Sequence, residues 1–294
     1  MLFNKITALG GVVALCLSVG CSVTGDVPTD ACEEGPSAPG TTNAPTGDLR
    51  GWTQVFVDNF DRCELGEMWG AYSGQPGGDP HSWWEPEQVS VTEGVLRLRA
   101  QQDGDQWVTG GVSNSAVSQT YGKWMVRLRA GVSDEISYHV LLWPRDEVWP
   151  PEIDIAESVS GRRESMSSFI HWSDEGEHHF AQADTTGRFD EWHTVGVEWG
   201  PGIVRYLVDD SEWAEFESSF VPSTSMWLGI QAQAGACDKQ REWGTGDCPV
   251  SGSPAIADID IDWVSVYSPD FAALAAVESA RSTDLELIEL TPRR

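Results

Sequence analysis

The chain has 294 residues with 46 acidic against 18 basic side chains, a formal net charge of −28. So strong a negative field excludes nucleic acid, anionic lipid surfaces and polyanionic polysaccharides as favoured partners and leaves neutral or cationic ones. The length fits one large all-β domain with extensions, and 30 glycines and 16 prolines supply turns for many short strands.

At the start, residues 6–20 form an apolar run after Lys5, too short to span a bilayer comfortably and placed like the core of an export signal. Leu17-Ser18-Val19-Gly20-Cys21 resembles a bacterial lipoprotein box, with Ser18 where Leu is usual. Lipidation at Cys21 is the favoured reading and ordinary signal cleavage the alternative; both make residues 1–21 a leader and the protein exported, secreted or lipid-anchored at the cell envelope. Residues 22–48 are rich in Pro, Gly, Ser, Thr and Asp and read as a flexible tether.

From Trp52 onward short runs alternate in the manner of strands. Leu96 and Leu98 alternate with Arg97 and Arg99, and Trp124, Val126 and Leu128 with Met125, Arg127 and Arg129. Further strands are expected over 193–199 and 203–208, joined through Gly200-Pro201-Gly202, and over 212–217, 225–234 and 257–267. With no long amphipathic pattern among them, a sandwich or barrel over 49–269 follows. Residues 270–294 begin helix-like at Phe271 and end irregularly, as a peripheral appendage. A monomer is expected.

The densest chemistry lies in Glu152-Ile153-Asp154-Ile155-Ala156-Glu157. In a regular strand Glu152 and Asp154 share a face and Glu157 points away. One bulged residue near Ile155 or Ala156 would return Glu157 to the acid face. The two glutamates would then stand as if four residues apart, roughly 13 Å along the backbone. Side chains leaning together could close that to the about 5–5.5 Å between carboxyls used in retaining glycoside hydrolysis. The alternative is a solvated strand face carrying three surface acids.

Other candidates surround this stretch. Trp143 and Trp149 flank it, and Trp172 and Trp243 lie in polar or loop-like contexts; aromatic platforms of this kind suit sugar rings. Pairing of the next strand would set His171 beside the acids, the alternative being a packing histidine. Gln231 and Gln233 alternate on one strand, where inward amides could bind hydroxyls. His178-His179 reads as an exposed loop pair. Asp258, Asp260 and Asp262 share a face at period two but carry no bulge and read as solvated. Arg162 and Arg163 could form a small basic patch after the acid strand. Outside the leader, Cys32, Cys63, Cys237 and Cys248 allow three pairings, of which Cys32–Cys63 and Cys237–Cys248 close local segments.

Glu152-x-Asp154-x-x-Glu157 resembles the bulged signature of glycoside hydrolase family 16, which includes laminarinases, agarases and carrageenases. The resemblance extends to Gly110-Gly111-Val112-Ser113, Tyr121-Gly122-Lys123-Trp124, Trp192-His193-Thr194-Val195, Tyr206-Leu207-Val208-Asp209 and Asp262-Trp263-Val264-Ser265-Val266-Tyr267, in family order over roughly residues 50–268. It implies a jelly-roll β-sandwich of two antiparallel sheets, with Glu152 as nucleophile, Glu157 as acid/base and Asp154 as their electrostatic helper. It also implies a histidine at His171 beside the acids, and an endo-acting enzyme on a neutral β-linked glucan of β-1,3 or mixed linkage. No cofactor is required. Asp262 matches a position that binds structural Ca²⁺ in some relatives, with Asn59 at the partner position. The departures are His139 where the family's first tryptophan of Gly-x-Trp-Pro-Ala-x-Trp would fall, Pro151 for the usual Gly, and Ala156 for the usual Met. A noncatalytic glycan-binding jelly roll and a wall-remodelling transglycosylase are the rival readings.

Overall fold

The computed structural model describes residues 37–77, 80–243, 255–278 and 288–293. Two sheets are stacked face to face. One has eight strands in the order Thr291–Arg293, Glu177–Thr186, Ser165–Asp174, Glu152–Ser158, Ser137–Pro144, Met226–Gln233, Gly111–Ser113 and Gly70–Ala71, every neighbouring pair antiparallel. The other has eleven strands, with Gly122–Ala130 and Ile256–Pro269 at its centre. This is the jelly-roll sandwich expected, although two edge pairings of the larger sheet are parallel: Ser82–Trp84 with Gln106–Thr109, and Ser211–Glu217 with Ile288–Glu289.

The alternation that defines the strands also builds the core. Val140, Leu142, Ile153, Ile155, Ile170, Leu228 and Ile230 of the smaller sheet are buried against Leu96, Leu98, Trp124, Val126, Val197 and Trp199 of the larger. Trp124 and Trp199 stack with ring centroids 6.0 Å apart. Tyr206 donates from its hydroxyl to the Phe169 carbonyl at 2.7 Å and ties the two sheets together. Burying each such large side chain stabilises the fold by about 1.5–3 kcal/mol.

Several expectations need correcting. Residues 37–48 do not hang free as part of a tether: Ala38 and Ala44 are buried, and the Thr42 amide donates to Asp262 at 2.8 Å. The tail begins as a helix and is peripheral, as expected, but it does not end irregularly. After the Phe271–Glu278 helix, Ile288–Glu289 extends one sheet and Thr291–Arg293 the other, with Leu290 buried between them. Asp258, Asp260 and Asp262 are not solvated. Cross-strand register sets Asp258 opposite Arg99, and Asp260 opposite both Arg97 and Arg129, giving ion pairs at 2.8, 2.7 and 2.9 Å. Arg163 forms no surface patch. It is fully buried, donates to the carbonyls of Ile136, Gly131, Ser158 and Ser160, and burial lowers its pKa to about 10.

The residues suggested for calcium do not fit a metal. Oδ2 of Asp262 is taken by the Arg127 guanidinium at 2.5 Å and by the Thr42 amide. Oδ1 of Asn59 accepts from the Ala44 amide at 2.7 Å. The leader, Cys21, Cys32 and Cys248 lie outside the described residues.

Candidate active site

Ile153 and Ile155 supply the β-branched apolar residues that seat the Glu152–Ser158 strand on the core. Along its Ser137–Pro144 neighbour, Asp154 faces Leu141 and Ala156 faces Val140, so two steps on the acid strand answer one on the other. Ile155 is the extra residue. Its carbonyl, displaced from the ladder, accepts from the buried Ser168 hydroxyl at 2.7 Å. The register shift between Asp154 and Glu157 recurs against the Ser165–Asp174 strand. Glu157 is thereby returned to the face turned away from the core, with Glu152 and Asp154.

Each acid has its own partner. Trp149 donates its indole N–H to Glu152 Oε2 at 2.7 Å. His171 Nε2 lies 3.1 Å from Asp154 Oδ2, and His171 Nδ1 is 2.9 Å from His178 Nε2. His139 Nδ1 is 2.5 Å from Glu157 Oε1, and its Nε2 is 2.9 Å from the Ser137 hydroxyl. Trp149 also packs on His178, with centroids 4.7 Å apart, so His178 belongs to a strand and an aromatic cluster and not to a free loop. Glu152, Asp154 and His171 bring three donor atoms within 4.8 Å of one another. Glu152 accepts from Trp149 and Asp154 lies against His171, so each acid has a support of its own.

The charges are unequally placed. Burial, then the neighbouring Asp154, push Glu152 well above the ordinary carboxylate range. Asp154 is 1% exposed and raised for the same first reason, with Glu157 adding to it, while its hydrogen bond to Glu152 opposes the rise. The Glu152–Asp154 pair therefore keeps one proton between its two carboxyls. Burial would raise Glu157 too, but His139, by charge and hydrogen bond, outweighs it, with help from His171 and Lys239, and the carboxyl ends below its ordinary value. His171 is lowered by burial.

The other predicted residues divide. Trp143 lies on the acid face of its strand, opposite Trp227, with its indole N–H donating to Glu147 at 2.9 Å. Gln231 and Gln233 lie opposite His139 and Ser137, on that same face. Trp172 does not belong to the site. The period of two that turns His171 towards the acids turns Trp172 inward, onto Phe216 and Phe220. The side chain of Trp243 lies outside the described residues. Tyr72 and Lys239 were missed. Tyr72, which feels the charges of Glu147 and Glu152, packs at a tilt on Trp84 with ring centroids 4.6 Å apart and approaches Gly111 and Gly229, where a Cβ would lie 2.5 and 2.8 Å from its side chain. Lys239, on the Ala236–Trp243 helix, donates to Gln233 Oε1 at 3.0 Å. The only sequence signal for Tyr72 was the pair of strand glycines that make room for it.

A two-sheet sandwich with paired glutamates set across a bulge and aromatic rings beside them defines a glycan-active class. Residues 78–264 match the glycosyl hydrolases family 16, and the chain belongs to that family. It is 24% identical over 261 residues to the endo-1,3-1,4-beta-glycanase EglC of Rhizobium meliloti (strain 1021), covering 74% of this chain and 52% of that protein. A beta-glucanase of Rhodothermus marinus is 24% identical over 205 residues, 56% of this chain and 65% of the relative. The chain spans about half the length of the Rhizobium relatives it matches. Among solved structures, the catalytic domain of an endo-1,3-beta-glucanase (laminarinase) from Thermotoga petrophila RKU-1 superposes with a TM-score of 0.63 at 18% identity. The match covers 76% of this chain and all of that one. The endo-beta-1,3-glucanase of Pyrococcus furiosus gives 0.63 at 18%, covering 79% and 99%. These structures establish the shared fold.

Proposed function

We propose that the protein is an endo-acting, retaining glycoside hydrolase that cleaves a neutral β-linked glucan of β-1,3 or mixed linkage. The observation that carries this reading is the bulge at Ile155, which places Glu157 on the face of Glu152 and Asp154. Its regular alternative would leave a lone glutamate and no acid/base pair. The relatives described above, an endo-1,3-1,4-beta-glycanase and a beta-glucanase, support the substrate class.

In the proposed reaction, Glu157 gives a proton from Oε2 to the glycosidic oxygen as the C1–O bond breaks, and a carboxylate oxygen of Glu152 bonds to C1. Water then adds its oxygen to C1 and its proton to Glu157, and the Glu152–C1 bond breaks. Asp154, protonated, and Trp149 steady the Glu152 carboxylate by hydrogen bonds. The empty site favours a proton on the Glu152–Asp154 pair over one on Glu157. The working arrangement therefore adds a second proton, on Glu157, to the one that the pair keeps. Trp143, Trp149, Gln231 and Gln233 are proposed to hold the sugar.

Residues 1–21 are proposed as an export leader with a lipid anchor at Cys21, and Cys32–Cys63 and Cys237–Cys248 as disulfides. A reducing-end assay over laminarin, lichenan, agar, carrageenan and xyloglucan tests the substrate. Release from laminarin or lichenan is expected, and no release from any of the five would overturn the reading. An added sugar acceptor separates hydrolysis from transglycosylation.

A further inference from the structure

We infer that His139 and Ser137 form a relay behind Glu157, holding one of its carboxyl oxygens and thereby deciding how readily the other carries the acid proton. The inference rests on the proposed hydrolase reading and adds a positioning pair to it. His139 stands directly opposite Glu157 in the ladder, a placement that only the bulge makes possible. It is 6% exposed, so its contact with Glu157 Oε1 at 2.5 Å is shielded from water. Ser137 has a single hydroxyl proton, and it is donated to the Gln233 carbonyl at 3.2 Å. Its oxygen therefore accepts from His139 Nε2–H at 2.9 Å. One proton remains on the line between His139 Nδ1 and Glu157 Oε1. Whether His139 or Glu157 holds it, Oε1 is committed to the imidazole, and Oε2 is left for substrate.

The surroundings make His139 the decisive neighbour. Facing Glu157 are Glu152 and Asp154 on its own strand, His171 from the next strand, Lys239 from the Ala236–Trp243 helix, and the buried Tyr138. Lys239 and His171 act on Glu157 by charge alone, whereas His139 adds a hydrogen bond. Glu157 is held below the ordinary carboxylate range as a result. An indole, as the family pattern has here, offers no second nitrogen and no charge. The relay thus suits this chain to work on the acidic side, where Glu157 can hold its proton.

His139→Gln tests this. The amide keeps the packing and can still donate to Glu157, but it cannot carry charge or share the proton. At pH above both glutamate ionisations, kcat/KM on glucan is proportional to the protonated fraction of Glu157, whichever glutamate titrates first. The ratio of alkaline to acidic kcat/KM on laminarin or lichenan is therefore expected to rise severalfold in His139→Gln. On an aryl β-glycoside with a dinitrophenolate leaving group, which needs no acid, the ratio is expected to stay unchanged. Ser137→Ala removes the acceptor behind the imidazole and is expected to move the ratio the same way by less. A purely structural role would lower the rate at every pH and leave the ratio alone, which overturns the inference while the hydrolase reading stands. A wild type inactive on both substrates overturns both. Carboxyl ¹³C titration of the intact protein gives a readout without turnover: the Glu157 resonance should titrate at higher pH in His139→Gln, and an unmoved resonance contradicts the relay.

Discussion

At the residue scale the site turns on how few protons serve three acids. Glu152→Gln removes the proposed nucleophile and should abolish turnover on every substrate. Glu157→Gln removes only the proton donor, so an aryl glycoside should still glycosylate the enzyme while glucan hydrolysis is lost. Equal losses on both substrates in both variants would exchange or dissolve these roles. Asp154 has a second consequence. Its folded pKa is raised by burial, so its contribution to stability is present below its unfolded pKa, near 4, and is lost as pH rises through the folded value. Asp154→Asn should therefore melt a few degrees higher than wild type at pH 8 and show little gain at pH 4, while losing activity. Thermal melts at the two pH values check this; a gain confined to pH 4 would reverse the sign.

At the scale of the element, the bulge is what makes the acid strand a site, and Ser168 is what satisfies it. Ser168→Ala would leave the Ile155 carbonyl buried without a partner, at a cost of about 1–3 kcal/mol. Denaturant unfolding should show that loss, and kcat should fall with it because Glu157 is no longer held on the face of Glu152. Unchanged stability would mean that the bulge is carried by the strand alone. Spacing alone left the bulge and a solvated acid face as alternatives, because three acids at spacing two and three share a face only if one residue is extra; the likeness to the family signature is what favoured the bulge. The strands were legible for a local reason: 203–208 is a strand to the residue, and Leu96 and Leu98 are buried as their alternation requires. What failed was non-local. Trp172 lies one residue out of phase with His171, and composition cannot report phase. The Asp258–Asp262 ladder became a run of ion pairs only through arginines more than a hundred residues away. Tyr72 and Lys239 reach the site from a segment and a helix whose docking no local pattern describes.

On the scale of the whole molecule, the charge of −28 decides what can approach. Neutral glucans should be cleaved and sulfated galactans refused, because a polyanion meets repulsion along its length. With Arg163 committed to four backbone carbonyls, the basic patch that could have offset this field is reduced to Arg162. Rates on laminarin should hardly change with added salt. Faster cleavage of carrageenan than of laminarin at low salt would contradict the electrostatic account.

The central claim is that Glu152 and Glu157 act as a retaining pair on a β-glucan. Following laminarin or lichenan hydrolysis by ¹H NMR from the first minutes reads it directly, since the first-formed anomer appears before mutarotation. The account predicts new reducing ends as the β-anomer, equilibrating afterwards to the mixture. Reducing ends that appear first as the α-anomer would show inversion and contradict it.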